Sequence, residues 1–247
     1  MISSAMSILS NALDDLLALL FPARCIGCNR TIVARNEAVC AQCWALIPLT
    51  NYHMQRENVM ELKLKGLCPD VESVAALFFY VDKGDWRSII HHIKYHHAWR
   101  AAYTLGYRYG LDLRESPDFQ NFDLVVPVPL HPLRRISRGY NQSELIARGM
   151  AKALDAKVNS SSLRRVKYNV SQVQTREKGD RWKNVQGIFA LRHPERLAGK
   201  RILLVDDVYT TGATIVECIG ALRGAQGCTV SVATIAVSRL EIDGMGL

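Results

Sequence analysis

From residue 122 to residue 239 the chain alternates between short continuous apolar runs and stretches with helical spacing. Asp123-Leu-Val-Val-Pro-Val-Pro129 predicts a short strand that its prolines end. Leu130–Arg138 then reads as a basic turn. Asn141 or Ser143 can cap a helix running to about Leu154, with Glu144 near its first turn. Roughly 30 polar and basic residues follow without clean periodicity, too many for an ordinary connector, which predicts a mobile or binding loop. Arg201-Ile-Leu-Leu-Val-Asp206 reads as a buried strand. A helix from about Thr211 to Leu222, ended by Gly224, precedes a last strand at Thr229–Val237. Strand, helix and strand in this order predict an α/β fold with a parallel sheet and right-handed crossovers.

The first half is less regular. Ile8, Leu9, Ala12, Leu13, Leu16, Leu17, Leu19 and Leu20 give residues 1–21 one apolar helical face. Asp14 and Asp15 interrupt it and no Lys or Arg precedes Arg24, so it reads as an amphipathic helix packed on its own protein, not as a signal peptide or membrane anchor. Residues 22–48 hold four cysteines. Residues 49–121 form a connecting or hood region, with a strand-like run at Val74–Val81 and an aromatic, histidine-rich segment at Trp86–Tyr109. Residues 122–247 form the α/β domain.

Composition narrows this picture. Of 247 residues, 49% are hydrophobic, enough for a packed core. No apolar run approaches the ~18 residues of a membrane span. The seven cysteines and the lack of an export signal argue for a reducing cytosol and a metal site rather than a disulfide frame. Cys25-x2-Cys28 and Cys40-x2-Cys43 have the spacing of two knuckles that close a structural Zn²⁺ site; two redox pairs are the alternative. Between Arg164 and Arg201 stand eleven Lys or Arg against three acids, an excess equal to the net charge of +8. Such a stretch is either a solvated basic face or a surface for phosphate-rich ligands or nucleic acid.

The candidate chemistry sits at the end of the Arg201–Asp206 strand. Asp206 and Asp207 emerge at a C-terminal strand edge, where open parallel sheets bind ligands. The turn that follows offers Thr210, Thr211 and Thr214 hydroxyls, and Gly212 lets a ligand approach the backbone. It opens a helix, whose free N–H groups attract an anion. Carboxylates beside an anion site suit one ligand that carries both vicinal hydroxyls and a phosphate, such as a ribose 5-phosphate. A receiver domain would need a later lysine, and none follows Thr214. A Walker B strand would need a Gly-x-x-x-x-Gly-Lys-Ser/Thr loop, and none is present.

Val205-Asp-Asp-Val-Tyr-Thr-Thr-Gly-Ala-Thr214 resembles the phosphoribosyl diphosphate signature of type I phosphoribosyltransferases. Ile90-His-His-Ile-Lys-Tyr95, Val126-Pro-Val-Pro-Leu130, Arg138-Gly-Tyr-Asn-Gln-Ser143, Gln172 and Arg181-Trp-Lys-Asn-Val185 with Phe189 resemble the ComF/GntX branch. The resemblance implies a type I phosphoribosyltransferase fold, a Rossmann-like parallel sheet, behind an N-terminal zinc-ribbon-like module. It implies 5-phosphoribosyl 1-diphosphate as ligand, with Mg²⁺, in the setting of DNA uptake, and a reaction whose acceptor is unidentified. Asp206 and Asp207 would bind the ribose hydroxyls, and the segment Val208, Tyr209, Thr210, Thr211, Gly212, Ala213 and Thr214 would complete the site around the 5-phosphate. Arg138, Gly139, Tyr140 and Arg181 would face the pyrophosphate. Single-stranded DNA or a competence helicase would be the macromolecular partners of a non-catalytic alternative. Relatives often carry a second cysteine pair; here Asn51–Gly66 has none and only Cys68 follows. The histidine segment (His91, His92, His96, His97, with Asp85 the nearest acid) reads either as a helix capping the cleft and offering Lys94 to a phosphate, or as plain packing with exposed histidines.

Overall fold

The computed structural model describes residues 22–34, 36–80, 86–95, 98–166 and 187–238. The expected N-terminal helix, Asp85, His96, His97, Gln172 and the Arg181–Val185 motif lie outside them. A five-stranded parallel sheet has the order β1-β7-β6-β2-β3, made of β1 (Val71–Tyr80), β7 (Thr229–Ser238), β6 (Arg201–Tyr209), β2 (Leu124–Pro127) and β3 (Lys157–Val158). Ile202–Val205 and Val232–Val237 are buried without a break. Strands covered on both faces require such runs instead of alternation. A separate antiparallel pair, β4 (Leu163–Arg165) with β5 (Phe189–Leu191), brackets the long basic stretch.

Residues 49–121, expected as a connecting or hood region, are built into this core. Val74–Phe78 is a continuous buried apolar run, as a strand covered on both faces requires, and β1 pairs with β7 from Val71 to Tyr80. The chain leaving the cysteine module lies along the outer edge of β1: Thr50 N–H donates to the Leu77 carbonyl at 3.0 Å and Phe79 N–H to the Pro48 carbonyl at 2.9 Å. Upstream are α1 (Ala41–Leu46) and α2 (Val59–Lys65), and after β1 come α3 (Arg87–Tyr95) and α4 (Trp99–Arg114).

Helix α4 packs tightly on α6 (Gln142–Leu154). Gly106 and Gly149 are there for proximity: a Cβ on Gly106 would overlap the backbone of Ile146, and one on Gly149 would overlap the Tyr103 carbonyl. Leu130–Arg138, expected as a basic turn, contains a short helix, α5 (Pro132–Arg138). Pro132 presets its first turn, His131 Nδ1 accepts from Leu133 N–H, and Gly139 ends it at φ 80°. Helix α6 is capped by Asn141, whose side chain accepts from Ser143 N–H and donates to the Val128 carbonyl at 3.0 Å, tying the helix start to the end of β2. The last helix, α7 (Ala213–Leu222), follows β6 and lies against β4 and β5. Among the described residues no helix is long and apolar enough to cross a membrane.

Candidate ligand cleft and metal centre

Strand β6 delivers Asp206 and Asp207 to a cleft of about 440 Å³ at the C-terminal edge of the sheet. Both carboxylates are held. Asp206 Oδ1 accepts from Ser143 Oγ at 2.8 Å and from Asp207 N–H at 2.9 Å. Asp207 Oδ1 accepts from Val208 N–H at 2.8 Å, and its Oδ2 lies 3.2 Å from Lys94 Nζ. Burial, then the neighbouring Asp207 charge, pushes Asp206 up to about 7. A buried strand-end carboxyl raised in this way, beside a second carboxylate in a cleft, is an arrangement common at functional sites.

The turn after β6 reaches the helix through Gly212 at φ 81°, a conformation side chains rarely adopt, and a Cβ there would also strike the Tyr209 ring. Helix α7 therefore begins at Ala213 directly behind the turn. Thr210 and Thr214 line the cleft, and Val208 forms part of its wall. Thr211 Oγ1 accepts from Ala213 N–H at 3.5 Å. Tyr209 is buried beneath Gly212, so its place in the signature is to shape the turn.

On the other side the cleft is lined by Arg134 and Arg138 of α5, Val128–Leu130 after β2, and Arg165 at the end of β4. Arg138, expected on the pyrophosphate side, lines the cleft. Gly139 ends α5. Tyr140 donates its hydroxyl to the Ile93 carbonyl at 2.8 Å, which ties this loop to α3. Arg181 lies outside the described residues. Helix α3 covers the cleft with Ile90 and Lys94. Lys94, one reading of which offered it to a phosphate, pairs with Asp207 across the cleft. Arg134 and Arg165 are singled out by no motif, and Gln142 stands within the Arg138–Ser143 motif without a role. Gln142 is buried with its Nε2 unpartnered among the described residues.

The four cysteines meet as the spacing predicts. The Sγ atoms of Cys25, Cys28, Cys40 and Cys43 lie within 4.8 Å of one another. Asn29 closes the first knuckle at φ 54°, and Cys40 N–H donates to Cys25 Sγ at 3.2 Å. Backbone N–H groups of Thr31 and Arg30 pull the Cys28 thiol down to about 6, while burial pushes Cys43 up. A tetrahedral cation would offset that cost at Cys43 by ionising all four thiols, so the donor set fits structural Zn²⁺. Among the described residues this is the only group of three or more His, Cys, Asp or Glu side chains placed to hold a metal ion, and no histidine belongs to it. The module is fastened to the cleft: Ser88 Oγ of α3 lies 3.1 Å from the Ile26 carbonyl and 3.0 Å from that of Gly27.

Comparison with known proteins agrees with this division. Residues 141–241 match the phosphoribosyl transferase domain family, and residues 16–71 match the double zinc ribbon domain family. Competence protein F of Haemophilus influenzae is 27% identical over 213 residues, covering 82% of this chain and 92% of that protein. The chain is thus similar to proteins of the ComF family. DNA utilization protein YhgH of Escherichia coli K12 is 26% identical over 196 residues, 78% of this chain and 81% of that protein. The protein of the same name from Salmonella typhimurium reaches 34% over 119 residues, 48% and 51% of the two chains. Among solved structures, the allosteric regulatory enzyme of purine biosynthesis aligns with a TM-score of 0.40 and 21% identity, over 59% of this chain and 30% of that one. The fold is that of a type I phosphoribosyltransferase behind a zinc ribbon. The ribbon family is double, yet this chain brings a single four-cysteine cluster together among its described residues; Cys68 is buried apart from it.

Proposed function

We propose that the cleft binds 5-phosphoribosyl 1-diphosphate. The observation that carries this reading is the junction in one cleft of two strand-end carboxylates with a threonine- and glycine-rich turn that opens α7. Asp206 and Asp207 would accept hydrogen bonds from the ribose 2′ and 3′ hydroxyls. Lys94 holds Asp207 until those hydroxyls arrive. The turn Thr210–Gly212 and the first N–H groups of α7 would receive the 5-phosphate. Arg134, Arg138 and Arg165 would face the diphosphate. Mg²⁺ fits the oxygen donors of Asp206 and Asp207 together with ligand phosphates, and when bound it would supply countercharge to the diphosphate.

Such an arrangement can support transfer. The bond from the anomeric carbon to the diphosphate breaks, its electrons leave with the diphosphate, and a nucleophile forms the new bond to carbon. Cations placed around the leaving group lower that barrier, and no side chain need act as a base. The relatives' names place them in competence and DNA utilization. On that footing we place this chain in DNA uptake, working in the cytoplasm. The second reading is a module that binds single-stranded DNA or a helicase and uses the same ligand as a regulator; the basic excess between Arg164 and Arg201 favours it.

Calorimetry of the full chain with 5-phosphoribosyl 1-diphosphate and Mg²⁺ tests the ligand. Binding should be lost when Asp206→Ala is combined with Asp207→Ala; unchanged affinity ends the proposal. Diphosphate release on adding candidate nucleobases favours transfer. Salt-sensitive binding of single-stranded DNA that survives the double change favours the second reading.

A further inference from the structure

Next to the ribose cleft lies a second cavity of about 350 Å³. It opens between the residues after β2, the start of α6 and the base of the β4–β5 pair. Four arginines line it: Arg135, Arg164, Arg165 and Arg192. One acid, Glu144, shares the wall, and it is already taken by Arg148 at 2.8 Å and approached by Arg135 at 3.7 Å. No ion pair is formed by Arg164, Arg165 or Arg192 among the described residues. Burial, then repulsion from Arg134, pulls the Arg165 guanidinium below its usual range, and its buried Nε has no partner among the described residues. Three guanidiniums left together without an acid repel one another, and partial burial of one adds a desolvation cost. The fold holds them there regardless: Arg164 and Arg165 are on β4, and Arg192 N–H donates to the Ser162 carbonyl beside it.

We infer that this cavity is a second phosphate site, distinct from the ribose cleft, and that its ligand is a nucleotide. Guanidinium forks match phosphate oxygens in pairs, which favours phosphate over a single carboxylate. Pro127, Pro129, Leu130, Pro132 and Leu163 give the rest of the wall an apolar side, beside the polar Asn141, Ser160 and Ser161. A phosphate carried on a flat apolar body fits both halves, and the volume lies in the usual range of small-ligand pockets. Arg165 lines both cavities, so the two ligands would lie side by side. A free mononucleotide and a nucleotide within a strand offer the same chemistry.

The test uses thymidine 3′-monophosphate, which lacks the 2′ hydroxyl and the 5′ phosphate that the ribose cleft would need. Full-length protein is titrated with this nucleotide, with thymidine, and with a short oligothymidylate. The nucleotide should bind and thymidine should not. Arg164→Glu combined with Arg192→Glu, both exposed and outside the ribose cleft, should weaken nucleotide binding at least tenfold. The same pair should leave 5-phosphoribosyl 1-diphosphate affinity unchanged. Asp206→Ala with Asp207→Ala should do the reverse, so failure here and failure of the ribose reading are separable. Tighter binding of the oligothymidylate, lost in the arginine pair, identifies a strand as the source; equal binding identifies the free nucleotide. The inference is overturned if no phosphate probe binds, if thymidine binds equally well, if the arginine pair leaves binding intact, or if that pair abolishes diphosphate-sugar binding, which would make the cavity an extension of the first cleft.

Discussion

Asp206→Asn isolates what it costs the fold to hold a carboxyl at this strand end. In the folded protein Asp206 rises from 3.8 to about 7, by burial first and the Asp207 charge second. The folded state therefore keeps a proton that the unfolded chain has already lost between about pH 4 and pH 7. A group raised in this way favours folding below its unfolded value and loses that advantage as pH climbs through the folded one. At ~1.4 kcal/mol per tenfold change in proton affinity, the loss is at most about 4 kcal/mol. Solvent in the cleft screens this to about 2–3 kcal/mol. Asparagine stays neutral at every pH. Both hydrogen bonds that Asp206 accepts fall on one oxygen, Oδ1, so the amide oxygen can keep the Ser143 and Asp207 N–H contacts. The variant should match the parent near pH 4 and exceed it by about 2–3 kcal/mol near pH 8. Urea unfolding of both proteins across that range, with zinc present, measures the difference directly. A gap that does not change with pH would refute the argument, because it would place the effect in packing and not in ionisation.

Ser143→Ala removes the hydroxyl that favours the charged form of Asp206; 5-phosphoribosyl 1-diphosphate should bind about tenfold more weakly at neutral pH in calorimetry, for a charge-assisted bond worth about 1.5 kcal/mol. Gly106→Ala forces α4 away from α6 and should lower stability by about 1–3 kcal/mol, read from thermal or urea unfolding. Purified protein should contain close to one zinc per chain by elemental analysis, Cys25→Ser should remove it, and a chelator should lower the melting temperature of the parent but not of the variant.

The parallel core was legible because buried strands advertise themselves: Ile202–Val205 and Thr229–Val237 sit within a residue or two of their expected places. The Asn141 cap and the helix to Leu154 were legible for the same reason, a local hydrogen bond followed by helical periodicity. The cysteine cluster was legible from spacing alone. Other features depend on neighbours that the sequence does not name. Leu130–Arg138 is short and arginine-rich and reads as a turn, yet Pro132 and Gly139 supply both ends of a helix. The run at Val74–Val81 reads as a strand, but its partner, β7, lies some 150 residues further on. In the cleft, the aspartates and threonines were found because they are adjacent in sequence. Ser143, Gln142, Lys94 and Arg165 were harder to place because three other elements bring them in. Lys94 shows the limit most clearly: its helix was found, but its partner is a carboxylate 113 positions away.

Ser88 spans the gap between the cysteine knuckle and the roof of the cleft, with Ile26 and Gly27 on one side and the helix that carries Lys94 on the other. The knuckle is therefore not a detachable bead on the end of an independent fold. Trimming the chain back to the start of β1 would leave the sheet its strands but take away the anchor of the helix that covers Asp207. A shortened protein of that kind would be a poor stand-in for the whole in any ligand measurement, even one that stayed folded.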